Sequence, residues 1–223
     1  MDATLFAGIS TVAAAGLAAL LWAARRQLAW TRQELAHQAA HDDLTGLANR
    51  ALLGDRIEHA LARTRRSDHV LALLAVNFDR FKAVNDTWGH ATGDAILVDA
   101  MRRLQSIVRP GDTIARVSGD EFAVLCEELD DVDDACTIAE RMVDALDRPF
   151  SIGSDNVVVT ACIGVAMHEG GEATPDALLR DAEAAMYLAK GDGQHRWELY
   201  DAKLRALVQR RRDTEAALQG ALE

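Results

Sequence analysis

The sequence predicts an α/β domain, a sheet covered by helices, entered through one apolar segment and left through one amphipathic segment. Three observations carry this reading. Apolar residues recur with helical and then strand periodicity, in alternation, between about residues 51 and 200. Two neighbouring strand patterns, 113–117 and 122–126, are joined by Ser118-Gly119-Asp120-Glu121, which places a hairpin inside the alternation and departs from strict βαβ order. The composition of the 223 residues, 49% hydrophobic and 26% charged, suits one sizeable core plus appendages and excludes disordered, collagen-like and disulfide-scaffold classes.

Residues 4–24 carry no charge, and 21 helical residues at about 1.5 Å each match the roughly 30 Å hydrocarbon core of a bilayer. Arg25 and Arg26 follow at once, whereas only Asp2 precedes, so a single-pass helix over 1–24 would leave the body of the protein in the cytoplasm. A cleaved signal peptide has its cations on the other flank, and a buried soluble helix is the remaining alternative. Residues 25–41 form a helical linker without Pro or Gly, in which Leu28 and Leu35 stand seven apart. That spacing suits a short stalk pairing with a second copy, and equally a solvated linker helix.

In the body, the periodicity predicts a helix over 51–66, a strand over 70–78, and helices over 80–85 and 95–108. The hairpin follows, then a helix over 132–146, a strand over 157–167 and a helix over 175–190. Thr174-Pro175-Asp176 supplies that last helix with a capping hydroxyl, a first-turn Pro and an acid at the positive end of its dipole. Residues 197–200 offer an edge strand. Beyond Asp201, residues 203–222 interleave Lys and Arg with Leu and Val as an amphipathic connector helix.

A net charge of −11, from 24 Lys and Arg against 35 Asp and Glu, speaks against sequence-independent nucleic-acid binding, which needs clustered cations. An anionic ligand therefore needs local help. Cys126, Cys136 and Cys162 lack CxxC spacing, so neither a zinc site nor a disulfide framework is indicated.

Three places concentrate polar groups beyond the needs of a core. At the end of the first strand, Asn77 and Asp79 project to one face and Phe78 offers a backbone carbonyl. The hairpin tip carries Asp120 and Glu121. Were the two strands neighbours, their oxygens would converge as a hard-cation site for Mg²⁺ with substrate phosphates; the alternative is that turns and strand ends collect acids for solubility. The third place spans residues 85–94, where two glycines permit a tight loop and Asn85 and Asp94 present a donor and acceptor set matching a guanine edge. An Asx-rich turn capping the next helix is the other reading.

Four motifs, in this order and spacing, resemble the diguanylate cyclase (GGDEF) family: Asp43-Leu44-Thr45-Gly46-Leu47-Ala48-Asn49-Arg50; Phe78-Asp79-Arg80-Phe81-Lys82-Ala83-Val84-Asn85-Asp86; Gly89-His90 with Gly93-Asp94; and Ser118-Gly119-Asp120-Glu121-Phe122. Ile163-Gly164-Val165-Ala166 and Ala185-Met186-Tyr187-Leu188-Ala189-Lys190 extend the similarity over 42–200.

The resemblance implies a domain like the palm of nucleotide cyclases, with a central, mostly antiparallel sheet flanked by helices. Such a domain condenses two GTP into cyclic di-GMP and two pyrophosphates between the subunits of a homodimer. By position, Asn77, the Phe78 carbonyl and Asp120 would hold Mg²⁺ or Mn²⁺, and Glu121 would assist deprotonation of the attacking hydroxyl. Asn85 and Asp94 would read guanine with His90 in the same pocket, and Lys82 and Lys190 would lie near phosphates. Arg109-Pro110-Gly111-Asp112 resembles the product-inhibition site of the family, with Arg141 contributing from a neighbouring helix. Asn77 stands where the family usually has aspartate, Ser118 where it has the first glycine of the signature, and Gln194 where an arginine is frequent. The loss of a charge at Asn77 opens a second reading, a catalytically degenerate module that binds GTP or cyclic di-GMP. Residues 215–223 of the connector resemble the lead into a phosphodiesterase (EAL) domain, and the apolar segment places the protein at the inner membrane of a bacterium.

Overall fold

The structure is a computed structural model, which describes residues 22, 25–27, 39–65, 69–153, 155–191 and 195–201. The chain divides into two compact units, 1–41 and 42–223, and every element below belongs to the second. The expected membrane segment lies, apart from Trp22, outside the described residues, as do 28–38 of the linker and 202–223 of the connector. Among the described residues no helix is long and apolar enough to cross a membrane.

In chain order the elements are α1 (Arg50–Thr64), β1 (Val70–Phe78), α2 (Phe81–Trp88), α3 (His90–Gln105), β2 (Thr113–Ser118), β3 (Glu121–Leu129), α4 (Val132–Asp147), β4 (Phe150–Ile152), β5 (Asp155–Val157), β6 (Ala161–His168), α5 (Pro175–Gly191) and β7 (Arg196–Leu199). Five strands form one sheet in the order β2-β3-β1-β6-β7. All neighbours are antiparallel except β6 and β7. The edge strand read at 197–200 is thus present, and it is parallel to its neighbour.

β1 sits in the middle and is apolar except for Asn77, because both faces of the sheet are covered. Its even-numbered residues Ala72, Leu74, Val76 and Phe78 pack in the core that holds Ile96, Leu97 and Leu104 of α3 and Met142 and Leu146 of α4. The odd-numbered Leu71, Leu73 and Ala75 face Leu53 and Ile57 of α1 and Leu178, Leu179 and Ala182 of α5. α5 comes so close to β6 that a Cβ on Gly164 would lie 2.1 Å from the Ala182 carbonyl oxygen and the Met186 amide nitrogen. Only glycine fits there.

Helix ends follow side-chain chemistry. Asn49 caps α1 by accepting from the amides of Ala51 and Leu52 at 3.0 and 3.1 Å. The Thr174 hydroxyl accepts from the Ala177 amide at 3.2 Å, the cap expected from the sequence. At the far end of α4, Arg103 donates to the carbonyls of Ala145, Arg148 and Pro149, and its guanidinium lies 3.8 Å from the centre of the Phe150 ring.

Two expectations need correction. Residues 85–94 are not a loop: α2 runs to Trp88 and α3 starts at His90, so a single non-helical residue, Gly89 at φ +81°, makes the joint. Gly93 is buried inside α3, where helix propensity yields to the packing described below. The strand expected over 157–167 is two strands: β5 ends at Val157 and pairs with β4 in a separate small hairpin, and β6 begins at Ala161.

Candidate functional site

The β1–β3 register sets Asn77 opposite Glu121 and Val76 opposite Phe122. The pairing ends there, with Phe78 as the last residue of β1 and Asp120 as the turn residue directly before Glu121. Because Asn77 is odd-numbered it lies on the α5 face, and its buried side chain meets Lys190 in the last turn of that helix. The Lys190 ammonium donates to Asn77 Oδ1 at 2.5 Å. Asn77 Nδ2 donates to Glu121 Oε1 at 3.3 Å, and the Ser118 hydroxyl donates to Glu121 Oε2 at 2.7 Å. Ser118, in place of a glycine, is therefore a working member of the site, and its backbone stays out of the left-handed region; Gly119, at φ +42°, takes that conformation.

Burial pushes the Asp120 carboxyl above its ordinary range, Glu121 adds to this, and the Lys190 and Arg116 cations pull it part of the way back. Glu183 of α5, which the sequence reading did not single out, shows the same tendency, driven by burial and by Glu121. Three acids and one lysine thus share one corner of the sheet.

A residue pair that sequence reasoning missed holds the hairpin. Arg116 Nη1 donates to both carboxylate oxygens of Asp42 at 3.0 Å, and its Nε donates to the Gly119 carbonyl at 2.9 Å. Asp42 also accepts from the Thr45 amide and hydroxyl at 2.8 and 2.7 Å. Partial burial opposes its charge, but the Thr45 bonds and Arg116 outweigh this and lower its pKa. The only sequence signal was Arg116 at an outward position of a strand beside the acid-rich turn.

Asp79 does not join this group. Its carboxylate accepts from the Thr160 hydroxyl at 2.6 Å, from the Cys162 thiol at 3.4 Å and from the His195 amide at 3.4 Å, tying the end of β1 to the start of β6 and to the approach to β7. Cys162 is buried and its thiol is pushed up to about 11.

On the opposite side of the β1 terminus, Asn85 of α2 lies against α3. Its Oδ1 is buried without a hydrogen-bond partner, and a Cβ on Gly93 would stand 2.0 Å from that oxygen. Gly93 is thus the space that Asn85 occupies, and Asp94 is the next, exposed residue. His90 opens α3 and Lys82 lies on α2, both exposed.

Arg109 and Asp112 form a closed turn before β2. Asp112 accepts from the Arg109 amide at 2.8 Å and from the Glu127 amide of β3 at 3.2 Å, while Arg109 is exposed. Arg141 is exposed on α4, a separate element.

Among the described residues no three His, Cys, Asp or Glu side chains are placed to hold a metal ion. The candidate donors are of another kind: one carboxylate, one backbone carbonyl and one amide oxygen. Their hardness fits Mg²⁺ or Mn²⁺. Asp120 and the Phe78 carbonyl fit such an ion, whereas the Asn77 oxygen already accepts from an ammonium.

A five-stranded sheet with an acid-bearing hairpin beside its central strand defines an α/β class, and comparison with known proteins narrows it. Residues 39–196 match the family model "Diguanylate cyclase, GGDEF domain", and the chain belongs to this family. The bifunctional diguanylate cyclase/cyclic di-GMP phosphodiesterase MucR of Pseudomonas aeruginosa is 40% identical over 88% of this chain and 28% of its own. Diguanylate cyclase TpbB of the same organism is 38% identical over 88% of this chain and 45% of its own. The chain therefore spans less than half the length of either relative. Among solved structures, the isolated GGDEF domain of TpbB superposes with a TM-score of 0.72 at 37% identity, over 76% of this chain and 99% of that one. The GGDEF domain of DgcB from Caulobacter crescentus, in complex with c-di-GMP, gives 0.68 at 28% identity, over 73% and 96%.

Proposed function

We propose that the chain is a diguanylate cyclase that condenses two GTP, one held by each of two copies, into cyclic di-GMP. The observation that carries this reading is the convergence of Asn77, the β1 terminus, Asp120, Glu121 and Lys190 at one corner of the sheet. In each half-reaction the 3′-oxygen of one nucleotide attacks the α-phosphorus of the other, a P–O bond to pyrophosphate breaks, and the hydroxyl proton leaves. Two such steps release two pyrophosphates.

Within this scheme Asn85 and Asp94 recognise guanine. Asn85 Oδ1 is buried against Gly93, which leaves its Nδ2 hydrogens for the acceptor edge of the base, and the Asp94 carboxylate accepts from N1 and N2. His90 lines the same pocket. Glu121, fixed by Ser118 and Asn77, accepts the hydroxyl proton. Lys82 and Lys190 supply positive charge to the phosphates. Asp120 and the Phe78 carbonyl, with Asn77 at their side, would hold Mg²⁺ or Mn²⁺, which would supply positive charge to the pyrophosphate leaving group. The closed turn of Arg109 and Asp112, with Arg141, is assigned to product inhibition. Residues 1–24 are proposed as a single-pass anchor in the cytoplasmic membrane, and a phosphodiesterase domain beyond residue 223 as a fused partner.

One observation favours a second reading, in which the domain binds guanine nucleotides without turnover: both ends of the Asn77 amide are engaged by protein groups. The purified full chain is to be incubated with GTP and Mg²⁺ or Mn²⁺ beside an Asn77→Asp variant. Cyclic di-GMP is expected from both, with about tenfold more from the variant, because a restored carboxylate strengthens the cation site. Nucleotide binding without product in either protein supports the non-catalytic module, and no guanine nucleotide binding at all overturns both readings.

A further inference from the structure

Glu121, the first residue of β3, has a register partner on each side: Asn77 of β1 and Ser118 of β2. Residues directly opposite in an antiparallel ladder share a face, so the three side chains form one row across three neighbouring strands. Both outer members donate inward, each to a different oxygen of the carboxylate: Asn77 Nδ2 to Oε1 at 3.3 Å and the Ser118 hydroxyl to Oε2 at 2.7 Å. A carboxylate held by one oxygen is free to rotate about its terminal bond, which is a soft torsion; held by both, it turns only by breaking a bond. Glu121 and Glu183 of α5 line one small cavity, and the repulsion between these two acids is what the paired donors work against. Backbone shape brings Ser118 into the row. The β2–β3 ladder shifts register between Arg116 and Ser118, and Gly119 at φ +42° closes the turn, with Arg116 Nε donating to its carbonyl at 2.9 Å.

We infer that Ser118 is a positioning residue of the reaction: its hydroxyl fixes the plane of the Glu121 carboxylate from the hairpin side, Asn77 fixes it from the strand side, and the two donors act as a coupled pair. The inference rests on the reading of Glu121 as acceptor of the 3′-hydroxyl proton. Each carboxylate oxygen offers two lone-pair sites, so one donor on each leaves one site on each for the incoming hydroxyl. The pair sets the direction of those remaining sites. Its effect therefore falls on the rate of the chemical step and not on nucleotide affinity. Coupling follows from the shared acceptor: once one oxygen is released, the carboxylate turns, and the bond at the other oxygen weakens with it.

Two measurements on the full chain, purified in mild detergent, decide the matter. The first is steady-state kinetics of cyclic di-GMP formation. Ser118→Ala, which removes the hydroxyl alone, is expected to lower kcat about tenfold with KM for GTP within about twofold, whereas Ser118→Thr keeps a hydroxyl on the same carbon and holds kcat within about threefold of the unaltered protein. The second needs no activity: denaturant unfolding of Ser118→Ala, Asn77→Asp and the double variant. The folding equilibrium constant of the double variant is expected to exceed, by about threefold or more, the value obtained by multiplying the two single effects. An unchanged kcat in Ser118→Ala, a loss carried by KM, failure of threonine to restore the rate, or single effects that multiply to within about twofold of the double variant each overturns the inference. Absence of product from every protein defeats the cyclase reading instead, and the unfolding cycle then decides by itself whether Ser118 and Asn77 act on Glu121 together.

Discussion

Gly93 shows how one hydrogen in place of a methyl can define a binding group. An alanine within α3 is ordinarily worth up to about 1 kcal/mol of helix stability over glycine. Here its Cβ would stand 2.0 Å from Asn85 Oδ1 and 3.3 Å from Phe81 Cζ, and the first of these is the free end of a side chain that can swing away. Gly93→Ala is therefore expected to keep the melting temperature within a few degrees while lowering GTP affinity about tenfold, read by calorimetry. Loss of folding, or unchanged affinity, would contradict the role given to Asn85. Residue types at the acid cluster were legible in the sequence, since Asp120 and Glu121 sit on a turn between two strand patterns. The partners of Asn77 were not: its contact with Lys190 depends on strand parity and on where α5 lands, and neither is a local property.

At the scale of elements, most boundaries were readable because burial is periodic. β1 and α4 follow their apolar patterns to within a residue, and Thr174 caps α5 as its hydroxyl predicts. The failures have two causes. Glycines at 89 and 93 read as a loop, yet only Gly89 breaks the helix while Gly93 answers a tertiary contact. The β4–β5 hairpin escaped notice because three-residue strands leave no periodicity to detect. The seating of α5 carries a prediction of its own. Gly164→Ala drives a methyl into the backbone at Ala182 and Met186, where nothing flexible can yield. A loss of about 1–3 kcal/mol or more is expected in denaturant unfolding, together with weaker GTP uptake, because α5 brings Lys190 to the site. Equal stability in the variant would mean that α5 does not rest where the sheet places it.

For the molecule as a whole, the proposed chemistry cannot be completed by one domain, since each site holds one nucleotide and the bond forms between two. The rate of cyclic di-GMP formation per chain is expected to rise with protein concentration until dimers saturate. Mixing Glu121→Gln chains with unaltered chains should depress the rate more steeply than dilution by buffer does. A rate per chain independent of concentration well below any measured dimer dissociation constant would contradict the two-copy scheme. The class of the fold was legible from alternation and composition. The two-copy scheme comes from the family resemblance alone, because no stretch of a single sequence encodes a two-fold axis.

The guanidinium of Arg116 spans two points of very different character: Asp42, where the chain enters the second unit, and the Gly119 carbonyl, one residue before Asp120. It is a strut of a single side chain. Because Arg116 belongs to β2, replacing it with Met would part the first residue of the second unit from the turn before Asp120 while leaving the strand pairing in place.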